Sequence, residues 1–245
     1  MRAALILMPL VTLAGCNMAG GHGRDADRDH RVEQRAIQVA GNFDRVSLAG
    51  SPDVVVTVGG APSVRAEGDA ELLDRLEIVV KDGTLSIGYK QGGSWSWDMG
   101  RHRGHVTVYV TAPTLAGAAI GGSGDMRIDK VEGNAFAGAI GGSGDMAIGA
   151  MKVGNATFSI AGSGDIQAAG TAQQAKLSVA GSGDIDAVGL QSRAATVAVV
   201  GSGDVRVRAS DTADVSIMGS GDVEIVGGAK CNIHKMGSGD VRCSA

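Results

Sequence analysis

IGGSGDMRI (residues 120–128) returns as IGGSGDMAI (140–148), IAGSGDIQA (160–168), VAGSGDIDA (179–187), VVGSGDVRV (199–207), IMGSGDVEI (217–225) and KMGSGDVRC (235–243). The GSGD tetrapeptide therefore starts at Gly122, Gly142, Gly162, Gly181, Gly201, Gly219 and Gly237, at intervals of 20, 20, 19, 20, 18 and 18 residues. A period near 20 points to an array of stacked, similar units. The columns around the motif define the unit. Two residues before its first glycine stand Ile120, Ile140, Ile160, Val179, Val199 and Ile217; four before stand Phe158, Leu177, Val197, Val215 and Ile233. Four after stand Met126, Met146, Ile166, Ile185, Val205, Val223 and Val241, and six after stand Ile128, Ile148, Ala168, Ala187, Val207, Ile225 and Cys243. The positions between are polar or small. This is a period of two on both sides, so each unit reads as strand, GSG corner, strand, with a loop of about five residues such as Thr171–Ala175 leading onward. Stacked at ~4.8 Å, seven such coils make two parallel sheets about 34 Å long. Glycine suits the corner because it accepts positive φ and brings no Cβ against the corner above. A helical reading fails, because paired glycines every 20 residues would break it.

Composition agrees. The chain has 245 residues, 40 of them glycine and only 4 proline, with 3% aromatic and 44% hydrophobic residues and a formal net charge of −4. Without a Gly-X-Y period the glycines do not make collagen. The apolar fraction is too high for wholesale disorder. The mild acidity gives no footing for nucleic acid. Few aromatics mean a thin core of Ala, Val, Ile and Met.

The fold class expected is all-β, a two-sheet parallel β-solenoid preceded by a β-rich region. Residues 1–15 read as a signal peptide: Arg2, an uncharged apolar run, then Leu13-Ala14-Gly15 before Cys16. This resembles the bacterial lipobox, which implies diacylation of Cys16 and a palmitate-type membrane anchor; Asn17 implies the outer membrane. Residues 16–35 read as a flexible charged tether, with His22 and His30 as solvated linker residues. Residues 36–115 read as an N-terminal β-region that begins or caps the stack, with strands near Phe43–Leu48, Asp53–Val58, Ser63–Glu67, Glu77–Lys81, Thr84–Tyr89 and His105–Thr111 and a short helix at Ala70–Leu76. Gly50-Ser51-Pro52-Asp53 looks like a decayed corner motif. Residues 116–245 are the solenoid proper.

FDRVSLAGSPDVVVTVG (43–59) and EGDAELLDRLEIVVKDGTLSIGY (67–89), followed by the GSGD array, together resemble the autotransporter-adhesin head domain family, also called the GIN domain. The resemblance spans about residues 36–243. It implies a right-handed parallel β-helix, an envelope location and a role in adhesion. It brings no catalytic residues.

Asp125, Asp145, Asp165, Asp184, Asp204, Asp222 and Asp240 form a repeat-corner ladder whose carboxylates read first as caps for turn N–H groups. Calcium along this ladder is the competing reading, because stacked carboxylates repel. Trp95 and Trp97 read first as covering the apolar end of the stack, and second as a ligand contact. Cys231 and Cys243 sit in facing inward columns and are expected to form a disulfide across the last coil. Lys235 breaks the Ile/Val column there and is expected to face inward, blocking end-to-end sheet growth. No outward cluster of carboxylates and bases emerges, so the chain reads as a non-catalytic structural, adhesive or binding module with no cofactor. Its partners are a membrane through the anchor, and a protein or carbohydrate ligand. A polysaccharide-processing enzyme and an accessory of envelope assembly or stress are the alternatives.

Overall fold

The computed structural model describes residues 32–90 and 104–244. The signal peptide, Cys16, Trp95 and Trp97 lie outside these residues. The N-terminal region supplies strands β1 (Val32–Ile37), β2 (Arg45–Gly50), β3 (Asp53–Val58) and β4 (Ser63–Asp69), helix α1 (Ala70–Arg75), and strands β5 (Leu76–Lys81), β6 (Thr84–Tyr89) and β7 (Val106–Ala112). The repeat region supplies β8 (Gly117–Gly122), β9 (Met126–Gly142), β10 (Met146–Gly162), β11 (Ile166–Gly181), β12 (Ile185–Gly201), β13 (Val205–Gly219), β14 (Val223–Val226), β15 (Lys230–Gly237) and β16 (Val241–Ser244). Together they make a parallel β-solenoid of about 6 turns.

Two walls follow from the pairing. On the side after each corner the strands run β1-β4-β7-β3-β9-β10-β11-β12-β13-β14-β16. On the side before it, β5, β6, β2 and β8 lead to β9, and β15 closes on β13. Ladders between coils are parallel, whereas β1, β4 and β5 add antiparallel strands at the N-terminal end. The Asp82-Gly83 turn joining β5 to β6 has both residues at positive φ, 49° and 74°, the geometry that a two-residue hairpin needs.

The N-terminal region both begins and caps the stack. Strands β2 and β3 meet at Gly50-Ser51-Pro52-Asp53 and form a coil between β6 and β7 on one side and β8 and β9 on the other, with Leu48 opposite Ile120, Gly50 opposite Gly122 and Val54 opposite Met126. One continuous core runs from Phe43 to Ile225. Strand β1 starts at Val32, so residues 32–35 belong to a strand and not to the tether. Charge composition misleads here, because an edge strand needs only one weakly apolar side. Ile37 packs against the core, Arg35 reaches Asp74 at 2.6 Å and Glu33 at 2.9 Å, and Gln34 donates to Glu67 at 3.0 Å.

The loops expected between units are strand instead. β9 to β13 run 15 to 17 residues each, straight through the bend opposite the corner. That bend carries its own buried side chains, Val131, Met151, Leu190 and Ala209, so its backbone stays laddered. The unequal repeat intervals are absorbed there. Register shifts fall between Ile148 and Met151, between Gln167 and Gly170 and between Ala187 and Gln191, while the corners stay aligned.

Packing inside the coils trades large residues against small ones. Gly138 of β9 lies opposite Phe158 of β10, and Phe136 lies opposite Ala156. The two rings sit 6.3 Å apart at 60°. A Cβ added to Gly138 would stand 2.9 Å from the Phe158 ring. Phe158→Ala is therefore expected to cost about 3–5 kcal/mol, and Gly138→Ala about 1–3 kcal/mol, both measured by denaturant unfolding.

Candidate functional site

The repeated corner is the most regular chemistry on the molecule. At the third GSGD corner, Ser163 and Gly164 donate their N–H groups to Gly142 O at 2.8 and 3.2 Å. The Asp165 N–H donates to Asp145 Oδ1 at 2.9 Å, and the Met146 N–H donates to Asp165 O at 2.8 Å. Glycine is required twice. Gly162 has φ +145°, and a Cβ on it would lie 2.1 Å from Gly142 O; one on Gly164 would lie 2.0 Å from Gly144 O. The carboxylate bond runs unbroken, from Asp125 N–H on Asp53 Oδ1 (3.0 Å) to Asp240 N–H on Asp222 Oδ1 (2.8 Å). Each carboxylate from Asp53 to Asp222 thus holds the next coil, the capping role for which Asx residues suit turns. Among the described residues no group of three or more His, Cys, Asp or Glu is placed to hold a metal ion.

The ladder has two different ends. The first corner carries Pro52 where the others carry glycine. The proline ring leaves this corner without the N–H that the third-position glycine donates in the corners above, such as Gly124 N–H to Gly50 O at 3.1 Å. Tyr89 packs beside Gly50, and burial raises its phenol above the ordinary value, opposed by a hydrogen bond with Ser51. His105 Nε2 sits 2.9 Å from Asp53 Oδ2, on the carboxylate that starts the ladder. At the other end Cys231 and Cys243 are joined as a disulfide, with Cα atoms 6.7 Å apart against the ~10 Å usual between packed sheets. Lys235 stands in the inward column, opposite the buried Ile217, but it is not buried. It is exposed, because no further coil closes the interior above it, and its Nζ lies 3.8 Å from Asp240 Oδ1.

The outer walls differ in character. After the corners, Arg206 bridges Glu224 at 3.0 Å and Asp186 at 3.5 Å across three coils. The Glu224 hydrogen bond, then the Asp186 charge, hold its guanidinium above the ordinary value. Before the corners, outward positions read Ala137, Ala139, Gly141; Thr157, Ser159, Ala161; Lys176, Ser178, Ala180; and Thr196, Ala198, Val200. This is one charge in twelve residues on a parallel sheet. Nearby, an open groove of about 480 Å³ is lined by Glu132, Lys152, Thr171 and Gln173, and another of about 470 Å³ by Asn155, Thr157, Gln174 and Lys176. Hydroxyls, amides and isolated charges at these spacings suit a polar ligand bound from the side. The pairing of His105 with Asp53 had no sequence signal, because the two residues lie 52 positions apart.

Asp165→Ala is expected to cost about 1 kcal/mol by stranding the Asp184 N–H, whereas Asp165→Asn, which keeps an amide oxygen, costs less. Melting temperatures in calcium and in chelator should coincide; a clear rise with calcium would show that the ladder holds the ion. Reduction of the disulfide should accelerate amide exchange in residues 230–244, since closing so short a loop is worth about 3 kcal/mol, and titration of the denatured, unreduced protein should find neither of these two thiols free.

No curated protein matches the chain. Among solved structures it is similar to a putative adhesin from Bacteroides fragilis, with a TM-score of 0.77 and 22% identity over 88% of this chain and 97% of that one. It is also similar to a putative lipid binding protein from Parabacteroides distasonis, with a TM-score of 0.67 and 26% identity over 89% and 98%. A putative adhesin from Parabacteroides merdae gives a TM-score of 0.67 and 18% identity over 89% and 97%. Residues 42–229 match the family described as "Putative auto-transporter adhesin, head GIN domain", and the chain belongs to that family.

Proposed function

We propose that this chain is a non-catalytic, lipid-anchored protein of the bacterial outer membrane that uses the face of its solenoid before the corners to bind a protein or carbohydrate. The observation that carries this reading is the nearly uncharged outer wall from Ala137 to Val200, whose strands are held in register by the corner ladder. The acidic groups that an enzyme of this shape would need are used inside the fold: the corner carboxylates accept backbone N–H groups, and Asp186 and Glu224 are paired with Arg206. Membership of an adhesin-head family supports binding over catalysis. Among the described residues no helix is long and apolar enough to cross a membrane. Attachment is assigned to Cys16, in the Leu13-Ala14-Gly15-Cys16 lipobox. Trp95 and Trp97 are offered first as a cover for the apolar end of the stack and second as a ligand contact.

Two experiments test the two halves of the reading. Cells supplied with labelled palmitate should label the full chain and leave Cys16→Ala unlabelled; an unlabelled wild-type chain would remove the anchor. Fluorescent protein should be retained on pelleted Gram-negative envelopes. Ser159→Arg with Ser178→Arg, both on the outer wall, should keep the melting temperature and lose most of that retention. Equal retention would move the binding surface elsewhere.

A further inference from the structure

The large apolar side chains that remain exposed are unevenly placed. Among the described residues six are exposed, and four of them gather at the C-terminal end of the rod: Val200 (54%), Met218 (56%), Ile233 (44%) and Met236 (69%). Val200, Met218 and Met236 stand in one column, immediately before the corner glycine of successive coils. The same column reads Gly121, Gly141, Ala161 and Ala180 lower in the stack, so it widens from hydrogen and methyl groups to thioethers only near the tip. Ile233 lies in the column that is buried in earlier coils, and it is uncovered because the stack ends there. Met is a flexible, adaptable apolar side chain, well suited to a surface without fixed shape.

The charge changes sign at the same place. Residues 227–244 hold Lys230, Lys235 and Arg242 against the single carboxylate of Asp240. With totals of 22 and 26, the rest of the chain keeps 19 cations against 25 carboxylates. All three cations are exposed. A basic rim around exposed apolar side chains is the chemistry that meets an anionic bilayer. Cations are drawn to the lipid phosphates while apolar side chains enter the headgroup boundary. An acidic body behind a basic tip also orients the rod end-on, since the rest of the molecule is repelled.

We infer that the C-terminal coil, through Met218, Ile233 and Met236 with Lys230, Lys235 and Arg242, is a docking tip for an anionic lipid bilayer. It lies at the C-terminal end of the wall proposed above for a protein or carbohydrate, beyond the residues of that face, and it needs no acyl anchor. The competing account of the cations is that they guard the open edges of β15 and β16 against pairing with another chain. That account gives no role to three exposed apolar residues beside them, which would promote association.

The test uses residues 17–245, which contain every described element and their single core but neither the leader nor Cys16. Co-sedimentation is measured with vesicles of phosphatidylcholine alone and of phosphatidylcholine with phosphatidylglycerol. Binding is expected only to the anionic vesicles and should weaken as salt is raised. Lys230→Gln with Arg242→Gln should weaken it about 25-fold, at about fivefold per cation, and Met236→Ser about tenfold. Lys81→Gln, at the capped end, should leave it unchanged. The inference is overturned if the protein ignores both kinds of vesicle, binds both alike, or binds equally well after Met236→Ser. It is also overturned if the Lys230/Arg242 variant keeps its vesicle binding but self-associates, which would identify the cations as edge guards alone.

Discussion

The structure depends on how closely one corner sits on the next. Where the opening glycine of one motif accepts two N–H groups from the motif above, there is no room for a Cβ at the first or third position: such an atom would fall 2.0–2.3 Å from a carbonyl oxygen at nearly every corner from Gly122 to Gly239. Such a contact cannot slide. A shift of one residue would replace glycine by serine or aspartate against that oxygen, so the corner fixes the register of every coil. Once register is fixed, alternation sends Ile, Val, Leu and Phe inward, and a one-residue slip would turn each of them to solvent. The carboxylate bond from each Asp to the next N–H adds direction to the ladder, with acceptors pointing toward the C-terminus.

A directional ladder has to end twice, and the two ends are solved by different chemistry. At the bottom, Pro52 removes one corner donor, Tyr89 packs beside Gly50, and the antiparallel strands β1 and β5 finish the two walls. At the top the acceptors Gly237 O and Asp240 have no further coil. Lys235 approaches Asp240, and the disulfide ties the two short strands of the last coil across an interior that nothing covers. The bottom end is closed by added chain, whereas the top is closed by charge and a covalent bond. The top is therefore the end whose surface remains open to a partner.

Much of the fold was legible because one requirement repeats. Seven GSGD copies gave the columns, the columns gave the two walls, and even Gly50-Ser51-Pro52-Asp53 could be read as a corner, since its opening glycine and its aspartate survive. What was hidden has physical causes. The bend opposite the corner looked like loop because its repeat length varies between 18 and 20. The structure absorbs that variation in bulges while Val131, Met151 and Leu190 still point inward. Strand β1 was hidden by its polar side chains, of which Arg35 pairs with Asp74 and Gln34 donates to Glu67 instead of to water alone. Lys235 keeps its place in the inward column yet stays exposed, because a column predicts burial only where another coil covers it.

The invariance of the motif also separates structure from function. Residues that recur in every coil are committed to neighbouring coils, as the Asp carboxylates are to N–H groups and the glycines to carbonyl oxygens. Chemistry directed at an outside partner has to lie in columns where coils differ from one another. The column before the corner glycine is such a place, running from Gly121 to Met236, and so is the outer wall, where Thr157 gives way to Lys176 and then to Thr196. A solenoid gives each of these positions a fixed address about 4.8 Å from the next. A change at one address alters the surface without disturbing the stack, because the corner, and not the outer side chains, sets where each coil sits.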